Sequence, residues 1–329
     1  MKRFRTVWVF MGLLFVFLLH GCLDEAPLFS GVDVFGKKGT GPGEFDEPYA
    51  IAVDGTGRVY VGDVRNHRVQ QFDADGNFIR QWGRQGDAPG EFEKPSGLAV
   101  DSLGNVYVSD YDLDRIQKFD ADGRFLKQWG SSGKEHGQFD SPGGVAVDSH
   151  DNLYVIETYN HRLQKFDSEG NFLRTWGEYQ PIHVVRSFFA FLVDPGAEGN
   201  FNYPARIAVG PKDKVYVSDA YNNRVQVFTP DGKFLFQWGG VGLLGGQFRV
   251  TAGIAVGAAG RVYVADFYNH RIEVFSGQGS YIAKWGGRGG EPGRFNAPTD
   301  LALGSRNRLY VVDWGNNRVQ IFHLKNAPS

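Results

Sequence analysis

Short apolar runs alternate with turn residues along most of the chain, leaving little room for long amphipathic helices. In one stretch the runs are residues 51–53, 59–61, 69–72 and 78–82, each with the length and alternation of a half-buried or core strand. Asp54-Gly55, with Gly57, separates the first two runs, and Asp75-Gly76 separates the last two. Both are Asp-Gly signals of the kind that close antiparallel hairpins. The unit then recurs. Trp82, Trp129, Trp176, Trp238 and Trp285 each end an apolar segment and precede a glycine, at spacings of 47, 47, 62 and 47 residues. Asp63, Asp110, Glu157, Asp219, Asp266 and Asp313 repeat at 47, 47, 62, 47 and 47, so six copies are present and one connection carries fifteen extra residues.

Four antiparallel strands repeated six times predict an all-β chain folded as a six-bladed β-propeller. The sixth copy has three runs, at 301–303, 309–311 and 319–322, and lacks its fourth. Residues 32–35 form an orphan fourth run, with Phe35 lying 47 residues before Trp82. The N-terminal strand is therefore expected to close the last blade and leave no sheet edge open. Tyr60, Tyr107, Tyr154, Tyr216, Tyr263 and Tyr310 occupy every second strand, and Ala52, Ala99, Ala146, Ala208, Ala255 and Ala302 every innermost one. The alanines are expected near the axis, where space is smallest. Asp63, Asn66 and Arg68, repeated for example as Asp219, Asn222 and Arg224, can tie down the loop after the second strand with charge-assisted hydrogen bonds.

Strings such as GIAVGAAGRVYVADFYNHRIEVF and LALGSRNRLYVVDWGNNRVQIF resemble the NHL-repeat family over residues 32–322. That resemblance implies the propeller fold. For function it implies a ligand-binding, interaction or sensor module and, in a few relatives, a metal-dependent enzyme.

Composition agrees with many short strands: 45 glycines, 15% aromatic residues and two methionines. The N-terminus reads differently. Lys2, Arg3 and Arg5 precede an apolar run over 7–19, which is short for a membrane span and reads as a signal peptide. Leu19, Gly21 and Cys22 resemble a bacterial lipobox, with His20 an unusual occupant, and Cys22 is the only cysteine. The expected division is a lipoprotein signal peptide over 1–21, a lipid-anchor tether over 22–30, the propeller over 31–323 and a tail over 324–329. Cys22 would be the lipidated residue and the protein would face the periplasm or cell exterior. Removing the signal peptide's cations leaves 32 basic residues against 37 acidic ones, a net charge of −5, which disfavours a nucleic-acid partner.

The candidate chemistry is sparse. His67, His161 and His270 fall in alternate blades, too far apart for one zinc ion, and read as loop-face polar residues. The positions before each innermost strand are Ala50, Gly97, Gly144, Arg206, Gly253 and Asp300, which offer one carboxylate and no histidine. No metal site, cofactor or catalytic residue is therefore expected, and a metal-dependent lyase or hydrolase at the central channel is the alternative. Aromatics off the repeat lattice gather instead on the loop face, where the blade connectors emerge. Tyr49, Tyr111, Tyr159, Tyr203, Tyr221, Tyr268, Phe267 and Trp314 are the expected anchors, with Arg206 and Asp300 at the channel entrance. Between Gly177 and Phe201 lie 23 residues, against eight between Gly83 and Phe92, and Phe188, Phe189, Phe191 and Leu192 in the excess are expected to form a lid or platform. Arg206 either meets an anionic group of the ligand or pairs with Asp300. The expected role is a lipid-anchored scaffold that binds a peptide, protein or glycan on this face.

Overall fold

The computed structural model describes residues 28–179, 183–187, 190–194 and 197–325. The repeat pattern becomes six four-stranded antiparallel sheets and one additional two-stranded sheet. In the first blade the strands run Pro48–Val53, Val59–Asp63, Arg68–Phe72 and Phe78–Trp82, from the axis outward. The sixth blade consists of Pro298–Gly304, Arg308–Asp313 and Arg318–Leu324, completed by the N-terminal strand Phe29–Phe35. Its register pairs Phe35 with Val319 and Phe29 with Leu324. Phe29 packs 5.0 Å from Phe322 and 5.6 Å from Trp285, so the propeller begins ahead of residue 31, and what was expected to be the end of the tether is strand. The expected signal peptide and Cys22 lie outside the described residues.

The fifteen extra residues fold partly as a separate hairpin, His183–Ser187 against Ala190–Asp194. It pairs with no blade.

Blades are twisted sheets with two faces to bury, and each must bury them against its neighbours. Six apolar clusters result, one at each blade-to-blade interface. Between the first and second blades, Ala50, Ala52, Tyr60 and Val69 meet Phe92, Leu98, Val106, Val108 and Phe119. The alanine set thus packs between blades and not along the axis. Ile51, Leu98, Val145, Ile207, Ile254 and Leu301 line the channel instead, all 3–6% exposed, and leave a space of only about 40 Å³. One further lattice member sits in each connector: Phe45, Phe92, Phe139, Phe201, Phe248 and Phe295 are fully buried. The preceding glycine makes room for it. At Gly83, with φ +94°, a Cβ would stand 2.5 Å from the Phe92 ring.

A second lattice element ties connectors to blades. Gln70 donates to the Glu44 carbonyl and to the Asp63 carboxylate, and accepts from the Gly43 amide. Gln164, Gln226 and Gln320 donate in the same way to connector carbonyls and lattice carboxylates. The fifth blade has Glu273 at this place, and its carboxylate is fully buried. Oε2 accepts from the Gly246 amide, while Oε1 lies 2.5 Å from Arg271 Nη2 without hydrogen-bond alignment. Burial, opposed by the Gly246 amide and Arg271, pushes the carboxyl up to about 7. The folded state therefore binds more protons than the unfolded chain between the ordinary glutamate range and about pH 7. Stability contributed by the protonated carboxyl is lost as pH rises through that window. Glu273→Gln restores the donor present in the sister blades. It should raise the melting temperature at pH 8, by an amount corresponding to about 1–3 kcal/mol for relief of an unpaired buried acceptor, and change it little below the ordinary glutamate range. Thermal melts across pH check the slope: a gain independent of pH would show that ionisation of Glu273 is not its origin.

Candidate functional site

Strand direction decides what can meet at the surface. Each innermost strand starts, and each second strand ends, on the face that carries the connectors. After the second strand the chain makes a short 3-10 turn, as at Val64–Asn66 and Ala220–Asn222. Its second residue donates a backbone N–H to the preceding connector: Arg65 to Asp46, Tyr221 to Asn202 and Tyr268 to Arg249, each at 3.1 Å. Whatever side chain stands there is presented from a fixed backbone. In the third, fourth and fifth blades it is Tyr159, Tyr221 and Tyr268, 51–59% exposed; in the first and sixth it is Arg65 and Gly315.

These tyrosines border a cleft of about 520 Å³. Seven of the expected aromatics line it: Tyr49, Tyr111, Tyr159, Tyr203, Tyr221, Phe267 and Tyr268. Their rings form a chain of contacts. Tyr159 lies 6.4 Å from Tyr111 and 5.4 Å from Tyr203, which lies 5.1 Å from Tyr221. Across the mouth Phe267 meets Tyr268 at 4.9 Å, edge to face. Burial, and then the neighbouring Tyr159, push the Tyr111 phenol well above its usual range, so it stays a neutral hydrogen-bonding group. Trp314 does not line the cleft; it packs behind Phe267 at 6.2 Å. Phe188 and Phe189 lie outside the described residues, and Phe191 and Leu192 belong to the second strand of the inserted hairpin.

Arg206 and Asp300 need a correction. Both are buried, at 5% and 7% exposure, and Arg206 Nε stands 3.1 Å from Asp300 Oδ2, although the N–H does not point along that line. Arg206 Nη2 donates to the Tyr49 carbonyl and the guanidinium covers the Tyr49 ring at 4.7 Å. Asp300 accepts from the Ile51 and Leu301 amides. Burial raises the Asp300 carboxyl, and Arg206 opposes that shift. The pair closes the channel beneath the cleft, so Arg206 already has its anion. Of the two roles open to it, pairing with Asp300 is the one observed.

The cleft also contains residues that periodicity did not mark. Lys94 lies against Tyr111, its Nζ 4.2 Å from the ring centroid, and Thr158, Thr251 and Thr299 contribute to the lining. The equivalent positions hold Glu47, Ser141, Tyr203, Val250 and Ala297, so the place varies freely and periodicity gave no signal for Lys94. At the channel the residues do not fit a metal: Asp300 is engaged by Arg206, and no group of three or more His, Cys, Asp or Glu able to hold an ion occurs among the described residues.

The three histidines turn out to be latches between blades. His161 Nδ1 accepts the Tyr203 amide at 3.1 Å and His270 Nδ1 the Ala297 amide at 2.9 Å. Asn223 and Asn317 use Oδ1 identically, toward Val250 and Glu47. His67 contacts the Glu93 carbonyl instead. All five residues have a left-handed backbone, with φ between 51° and 54°.

The arrangement defines a closed-channel, six-bladed β-propeller with an aromatic cleft on its loop face. The third to sixth blades match the NHL repeat model, over residues 139–166, 201–228, 250–275 and 295–322, and a six-bladed β-propeller model matches 46–129. Among curated proteins, Protein lin-41 of Caenorhabditis elegans is 52% identical over 56 residues, or 17% of this chain and 5% of that protein. The human NHL repeat-containing protein 3 is 44% identical over 48 residues, or 14% of each chain. This chain thus matches only a small part of either relative. Similar solved structures include a gluconolactonase from Xanthomonas campestris, at TM-score 0.62 and 12% identity over 92% of this chain and 99% of that one. Another is virginiamycin B lyase from Staphylococcus aureus with quinupristin, at TM-score 0.58 and 15% identity over 89% and 88%. Likenesses at this identity show the fold alone.

Two of the latches depend on an unprotonated imidazole nitrogen. Burial lowers the pKa of His161 and of His270, so in this range the folded state binds fewer protons than the unfolded chain. Stability present above the ordinary histidine range is lost as pH falls below it, because a protonated Nδ1 no longer accepts an amide. His161→Asn with His270→Asn, which copies the sister latches, should flatten the fall in melting temperature between about pH 6.5 and 5. An unchanged difference between pH 7.5 and 5 would remove the histidines as its cause.

Proposed function

We propose that this chain is an extracytoplasmic binding scaffold, and that it holds an extended peptide or a segment of a partner protein in the loop-face cleft. One observation carries the reading: seven aromatic side chains from several blades converge on a single concavity, and three of these tyrosines leave half their surface exposed. Tyrosine offers a flat apolar face and a polar tip at low conformational cost, which suits adaptable binding of peptide. A cleft of about 520 Å³ is in the range that encloses a few side chains. NHL-repeat proteins generally mediate interactions, which fits the same role. The inserted hairpin, entering from a connector on the same face, would add contact area. A bead-displayed library of random hexapeptides tests the reading. Wild type should retain a defined pool, and Tyr159→Ala with Tyr221→Ala should retain it at least about ten-fold less while melting normally. Equal retention by the two proteins would refute the cleft as the binding site.

The same reading places the scaffold at a bacterial envelope membrane through acylated Cys22. It is supported by the basic residues, the apolar run over 7–19 and a sole cysteine directly after it. Expressed in bacteria with a labelled fatty acid, wild type should carry label and sediment with membranes, and Cys22→Ala should do neither. Sedimentation of unlabelled wild type with membranes would discard the anchor.

A further inference from the structure

If the aromatic cleft is the binding site argued above, its charge chooses among peptides. Among the described residues no carboxylate lines it, and its two cations differ in state. Arg206 is buried and paired with Asp300. Lys94 is half-buried, rests on the π face of Tyr111, and has no carboxylate within 4 Å among the described residues. In the neighbouring connector the equivalent residue, Glu47, is engaged by Arg65 at 3.1 Å and does not line the cleft. An ammonium that has given up part of its hydration to a ring and walls of low dielectric interacts strongly with an incoming anion. The floor also holds a buried polar group without a partner. Thr299 lines the cleft, is 2% exposed, and its Oγ1 has no hydrogen-bond partner, a state that buried hydroxyls rarely keep.

We propose that Lys94 is the anion anchor of the cleft and that the site selects peptides carrying a carboxylate, from an acidic side chain or a free C-terminus. Peptide is favoured over nucleic acid because one uncompensated cation serves one carboxylate, whereas a phosphate backbone needs a row of them.

The random hexapeptide library, with acidic and basic residues in equal amounts, also tests this proposal on the full chain in detergent. Wild type should retain a pool enriched in Asp, Glu or free C-termini, and retention should fall several-fold between low and high salt. Lys94→Gln should remove the acidic enrichment, roughly ten-fold for the best sequences, while neutral sequences persist. Lys94→Glu should shift the pool toward Lys and Arg. Melting curves confirm that both variants fold. A wild-type pool without acidic bias, or a bias that survives Lys94→Gln, overturns the anchor while leaving cleft binding intact. No retained pool at all overturns cleft binding itself. Tight binding of a fluorescent single-stranded oligonucleotide that Lys94→Glu abolishes would overturn the choice of peptide.

Discussion

A buried carboxylate at the end of each second strand holds the loop face together. In the first blade Asp63 is fully buried and accepts from the Asp46 amide, Asn66, Arg68 and Gln70. Arg68 then distributes its other donors over the carbonyls of Thr40, Gly41 and Glu44 and the Gln81 amide oxygen. One ion pair thereby fixes a turn, a connector and an outer strand. Replacing such a pair by apolar residues could be neutral for stability, since burying two charges costs about what their attraction returns. What the pair supplies is a single geometry for irregular backbone, which has no ladder of its own to satisfy its polar groups. Its imperfect copies support this. The second blade has Leu113 where the others carry asparagine, and there Arg115 Nε stands 3.9 Å from Asp110 and is unpartnered. Asp110 compensates by accepting two connector amides, Glu93 and Lys94, which places Lys94 at the cleft.

Much of the fold was legible in the sequence because a 47-residue period exposes every lattice position at once. Strand order, the closing N-terminal strand and the aromatic gathering on one face all follow from period and strand direction. What periodicity could not reveal was orientation. The alanines repeat as faithfully as residues at an axis would, yet alternation along the innermost strand turns them toward the next blade and leaves the aliphatic neighbours to fill the channel. Histidine and asparagine at one repeat position looked like a loose polar preference. At His161, His270, Asn223 and Asn317 they are one device, because His Nδ1 and Asn Oδ1 sit equally far from the backbone and both residues tolerate a left-handed conformation. Trp314 was misplaced since sequence gives the face but not the depth.

The cleft arises where the lattice is relaxed. Turn position and backbone are held by the carboxylate network in every blade, so the side chain after the second strand can vary without disturbing the fold. Three adjacent blades place tyrosine there, and the opposite sector places an arginine bound to Glu47 and a glycine. A symmetric scaffold thus yields an asymmetric surface through a handful of positions, which is how a repeat fold acquires a site without new backbone.

The closed channel sets where chemistry on this chain can occur. Six aliphatic side chains and the Arg206–Asp300 pair narrow the axis below the cleft, and the space between them is about the size that holds a few water molecules. A ligand approaching from the loop face therefore stops at Tyr49, Arg206 and Thr299 and cannot be drawn into the barrel of blades. Opening the axis would require separating a buried ion pair and exposing the aliphatic ring to water, both costly. Contacts that distinguish one ligand from another must then come from the cleft walls. There, among the described residues, Lys94 is the charge without an ion-pair partner, and three tyrosine rings are half-exposed.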